Sequence, residues 1–108
     1  GDAVEGLTIS AFFSMDNPDP AVQEFVEAFR AKYDSDPATY HAYAYDATMC
    51  IVEALKASGP DREKINEYLT TLTGVNGASG VNSFDENGDV LKDAIRIVIQ
   101  DGKFNVVQ

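Results

Sequence analysis

The sequence predicts an α/β fold, a partial sheet carrying three helices, and three observations lead there. Apolar residues recur at helical spacing in three separate segments, each bounded by a capping residue, a glycine or a proline. Short β-branched runs flank that helical block, at 6–13 before it and at 81–84, 94–99 and 104–107 after it. The length, 108 residues, allows one core and has no room for two lobes.

Taken in order, 6–13 (GLTISAFF) is mostly apolar with β-branched and aromatic members and is expected to be a buried strand. At 14–20, SMDNPDP combines Pro18 and Pro20 with Asp16, Asn17 and Asp19, a loop that runs into a helix start. Asp19 is placed to cap that helix and Pro20 to fill its first position. Over 21–33, Val22, Phe25, Val26, Phe29 and Tyr33 share one helical face while Gln23, Glu24, Glu27 and Lys32 take the opposite one. This helix is therefore expected on the outside of a sheet. Asp34-Ser35-Asp36-Pro37 ends it, because the residue before a proline is driven towards extended backbone.

The segment 39–59 dominates the chain. Between Tyr40 and Leu55 the only clearly polar side chains are His41, Asp46, Thr48 and Glu53, so a helix here is apolar round most of its circumference and is expected to be central and covered on several sides. Tyr40, His41, Tyr43 and Tyr45 crowd its first turn and a half, where unpaired N–H groups and the positive end of the helix dipole lie. That end is the candidate binding site; the competing reading of the rings is core packing. Asp46 on so apolar a helix has to be bonded, to a backbone donor, a tyrosine or a cation, and a structural role outweighs a catalytic one. Cys50, the single cysteine, reads as a buried inert thiol.

Gly59-Pro60 stops this helix and Asp61 caps a shorter one with Ile65, Tyr68, Leu69 and Leu72 on its apolar face. The glycine-rich 74–80 reads as flexible and polar. Strands follow at 81–84 and 94–99, separated by the turn residues DENGD at 85–89, and Asp101-Gly102 turns the chain into a last strand at 104–107.

Several function classes are excluded. With 18 Asp and Glu against 8 Lys and Arg the net charge is −10, and without a basic face there is no counterion release, so nucleic acids and anionic membranes are poor partners. One Cys and one His nine residues apart do not make a zinc site. In DENGD the alternation of Asp85, Asn87 and Asp89 imitates a calcium loop, but Val90 stands where its glycine belongs and Arg96 where its glutamate belongs. Gly77-Ala78-Ser79-Gly80-Val81 lacks the closing glycine of a serine nucleophile elbow, and Gly74, Gly77 and Gly80 match no phosphate or dinucleotide fingerprint. No cofactor is called for and no enzyme is expected. The sequence contains no run of 18 apolar residues and no basic-then-apolar start of a signal peptide.

Taken together, EGLTISAFF, the Phe25-x3-Phe29-x3-Tyr33 helix followed by a proline, AYAYDATMCIVEALKASG, GASGVNSFDENGD, and the final strand with DGKF resemble the C-terminal part of the leucine/isoleucine/valine-binding, type I periplasmic binding proteins of ABC transporters. The resemblance implies that residues 1–108 are one C-terminal fragment of a protein with two α/β lobes joined by a hinge, with 14–20 near an interlobe crossing. It implies an extracytoplasmic protein, periplasmic or a cell-surface lipoprotein, that closes on a branched-chain or related amino acid and delivers it to a membrane permease. Tyr40 is then the side chain against the ligand, with His41 and Tyr43 as neighbours, while the main ligands to the α-amino and α-carboxylate groups come from outside this stretch. A fragment of this kind is expected to expose an apolar face or sheet edge and to self-associate. The alternatives are the ligand-sensing ectodomain of a receptor and a free-standing protein-interaction domain.

Overall fold

The protein is described by a computed structural model covering residues 2–107. The order is a short 3-10 turn, Asp2–Val4, then β1 (Thr8–Ala11), α1 (Pro20–Tyr33), α2 (Thr39–Ser58), α3 (Arg62–Thr71), β2 (Val75–Gly77), β3 (Gly80–Phe84), β4 (Val90–Leu91), β5 (Ile95–Gln100) and β6 (Lys103–Val107). The strands form two small antiparallel sheets, β1-β5-β6 and β2-β3-β4. The β1-β5 register sets Thr8 opposite Val98 and Ala11 opposite Ile95, so the whole helical block is an excursion that leaves the first sheet at β1 and returns beside it at β5.

The helices form where their local chemistry demands. Asp19 accepts the Ala21 N–H at 2.8 Å, with Pro20 in the first turn, and Asp34 in the left-handed region closes α1. Asp61 accepts the N–H groups of Glu63 and Lys64 at the start of α3, and Gly59 at φ 74° ends α2. The core joins Phe13, Val22, Phe25, Val26, Ala42 and Ala78, with Met15 and Phe29 packed against it. Phe25 is its centre, edge-on to Phe13 at 5.9 Å between ring centroids and tilted against Tyr45 at 5.0 Å.

Four expectations are corrected by this arrangement. The first strand is four residues long and alternates between exposed and half-buried, because it lies at the edge of its sheet; only Phe13, beyond the strand, enters the core. α1 packs its apolar face on α2 as well as on β2 and the Ala78 turn, not on a sheet alone. α2 buries one stripe, Ala42, Asp46, Cys50 and Ala54, each four residues from the last, and leaves Tyr40, Tyr45, Ile51 and Leu55 exposed. Elsewhere its cover by α1 and α3 is partial: Tyr43, Met49 and Val52 are half-buried. The 74–80 segment is no flexible linker: Val75–Gly77 and Gly80–Phe84 pair as a tight hairpin whose turn, Ala78 and Ser79, is buried. In its stripe Cys50 is 3% exposed, and burial, with Asp46 nearby as the next cause, pushes its thiol pKa up.

Candidate functional site

The N-terminal end of α2 is held by its own third residue. The His41 Nδ1 accepts the Ala38 N–H at 2.8 Å while the His41 N–H returns a bond to the Ala38 carbonyl at 2.9 Å, a reciprocal cap made by an imidazole. This turns the His41 ring towards α1, where it lies 4.8 Å from Phe29 and lines a cavity of about 580 Å³. Phe25, Phe29, Tyr33, Tyr45 and Asn76 line the same space, between α1, α2 and the β2-β3 turn.

Tyr40 and Tyr43 point elsewhere. Their rings meet edge to face, 6.3 Å between centroids, with Tyr40 82% exposed and Tyr43 half-buried behind it. Burial, and after it the neighbouring Tyr40 hydroxyl, raise the Tyr43 phenol above its ordinary range, so Tyr43 is neutral at physiological pH. Of the three expected site residues the fold brings Tyr40 and Tyr43 together and directs His41 away.

Beneath Tyr43 lies the most polar part of the interior. Asp46, 2% exposed, accepts the N–H of Ala78 at 2.6 Å and of Ser79 at 2.9 Å, the Ser79 hydroxyl, and the Asn82 side-chain amide at 3.4 Å. Lys92, from the connection between β4 and β5, brings its ammonium to 3.4 Å from Asp46 and donates to the Ser79 hydroxyl. The same ammonium stands over the Tyr43 ring, 5.5 Å from its centroid. A Cβ on Gly77 would fall on the Asp46 carboxylate, so the hairpin approaches α2 this closely only with glycine there. The demand for partners at Asp46 is legible in the sequence; Lys92 and the Ser79 turn are not, since they are 46 and 33 residues away.

Ser79 is 3% exposed and its hydroxyl donates to Asp46, so it is held inside the hairpin turn away from the surface. Among the described residues no three His, Cys, Asp or Glu side chains gather as a metal site. In DENGD the Asp85 carboxylate is spent on the N–H groups of Asn87 and Asp89, both at 2.9 Å, which hold it below the usual carboxylate range, the Asp89 bond foremost. No helix among the described residues is long and apolar enough to cross a membrane.

Residues 1–103 match the family model described as periplasmic binding protein. The whole chain is 31% identical to the Leu/Ile/Val-binding protein homolog 1 of Brucella abortus, covering 30% of that protein. Its structure is similar to the leucine binding protein LivK of Thermotoga maritima, with TM-score 0.83, 35% identity, all of this chain and 31% of that one. It is also similar to an ABC transporter substrate-binding protein of Desulfitobacterium hafniense in complex with Leu, with TM-score 0.86 and 35% identity over 96% of this chain and 32% of that one. The chain thus spans about three tenths of the length of these relatives, and the three helices and two sheets are a piece of the type I periplasmic-binding-protein fold. The chain belongs to the periplasmic binding protein family.

Proposed function

We propose that this chain is part of an extracytoplasmic solute-binding protein of an ABC transporter, which closes two lobes on a branched-chain or related amino acid and hands it to a membrane permease. The observation that carries the reading is the tyrosine pair at the start of α2. Tyr40 is almost fully exposed, yet its ring is braced by Tyr43, which is itself half-buried. An exposed aromatic held by a half-buried support is a wall waiting for an apolar group, and the hydrocarbon of a leucine-like side chain fits that role. The relative complexed with Leu supports this class of ligand.

Tyr40 contacts the ligand in this reading, with Tyr43 behind it. His41 acts as a neighbour through the cap that fixes the first turn of α2. The 14–20 segment, where the chain passes from β1 to α1, lies near the interlobe crossing; Gln23 Nε2 ties it to α1 through the carbonyls of Met15 and Asn17. The role is binding and not catalysis, and the groups that hold the α-amino and α-carboxylate ends come from the remainder of the protein. The test is leucine titration calorimetry on the full-length protein: Tyr40→Ala should weaken binding about tenfold, near 1.4 kcal/mol, with little change in thermal unfolding. Unchanged affinity would remove Tyr40 from the site.

A further inference from the structure

We propose that Lys92 is a positioning residue for the aromatic ligand wall, and this rests on Tyr40 facing the ligand. Its side chain is 7% exposed, and an ammonium so far from water needs every N–H directed at something. Two are accounted for by the Ser79 hydroxyl and by Asp46 at 3.4 Å. The face of the Tyr43 ring, 5.5 Å away, takes the remaining side of the cation.

The anchor is rigid. Asp46 is fixed by two backbone N–H groups of the hairpin turn, and Ser79 by its own bond to Asp46, so the ammonium has a single place to sit. Tyr43 is then braced from below by a charge tethered to Asp46 and Ser79, and its ring sets the edge-to-face contact that orients Tyr40. The chain of contact runs Ser79 and Asp46, Lys92, Tyr43, Tyr40, and only the last of these is widely exposed. Lys92 touches no ligand in this scheme. It removes rotational freedom from the wall before the ligand arrives, and a preorganised side chain loses less on binding.

The experiment is a double-mutant cycle on the full-length protein, with leucine affinity by calorimetry and thermal unfolding of each ligand-free variant. Lys92→Met should weaken leucine binding about fivefold, the size of one cation–π contact. In a Tyr40→Ala background the same change should have no further effect on affinity, although it still lowers the unfolding temperature. A purely structural lysine would lower the unfolding temperature equally in both backgrounds and leave affinity untouched, or would weaken binding additively with Tyr40→Ala; either result overturns the proposal. Where Lys92→Met does not yield folded protein, Lys92→Gln keeps an N–H donor for Asp46 and Ser79, removes the charge from the ring, and is read the same way. Should Tyr40→Ala alone leave affinity unchanged, the ligand wall itself falls and Lys92 with it. Weakening by Tyr40→Ala without weakening by Lys92→Met overturns only the positioning role.

Discussion

At the scale of single residues, the interior is organised round one carboxylate. Asp46 accepts bonds from three residues of the β2-β3 hairpin and is paired with Lys92, so α2, the hairpin and the connection to β5 meet at its two oxygens. Removing it would leave a buried ammonium unpaired, and Asp46→Ala is expected to cost about 3–5 kcal/mol in urea unfolding. Gly77→Ala should destabilise by about 1–3 kcal/mol, because the added methyl group overlaps the carboxylate and the hairpin must retreat. A Gly77→Ala protein as stable as the parent would mean that the hairpin is not seated this tightly. The need behind these contacts is visible in the sequence, as a charge on an apolar helix. Which groups meet that need is not, because the partners are brought together by folding and not by spacing along the chain.

At the scale of elements, local chemistry decided what could be read. All three helices, their caps at Asp19 and Asp61, and the glycine stop at Gly59 follow from neighbours within four residues. Asp61→Ala should therefore cost about 1 kcal/mol, seen as a lower urea midpoint with unchanged slope. The strands were harder. β1 and β5 pair across more than eighty residues, so the sequence shows that each is a strand and not that they are neighbours. Burial was harder still: hydrophobic residues all round α2 promise a covered helix, while the described residues bury fully only the 42–46–50–54 stripe. The 74–80 segment differs from its reading as a flexible stretch for a related reason, since Gly77 permits close approach to Asp46, while Gly74 and Gly80 supply positive φ.

At the scale of the whole molecule, the chain is open. Its radius of gyration is 16.0 Å, against about 13 Å for a compact domain of this length. It exposes 7494 Å², whereas a folded monomer of its mass exposes about 5,900 Å². The excess is about twice what one partner contributes to an interface of standard size, and it includes Leu7, Phe12, Tyr45, Ile51, Leu55 and Phe104. Expressed alone, the 108-residue chain should self-associate at micromolar concentration and bind a hydrophobic dye, as read by light scattering after gel filtration. A monodisperse monomer with no dye binding would show that these faces need no cover. In the two-lobed solute-binding protein proposed above both signals should disappear.

The pairing of Ala11 with Ile95 gives the helical block a further property. Its two ends enter and leave through adjacent strands, within about 5.5 Å of each other. Residues 12–94 are thus a cassette plugged into a sheet at one socket, and a short linker between 11 and 95 could bridge the gap were they cut out. The same closeness would let the block be spliced into another protein at a single surface turn, carrying its tyrosine pair and its buried lysine as a unit.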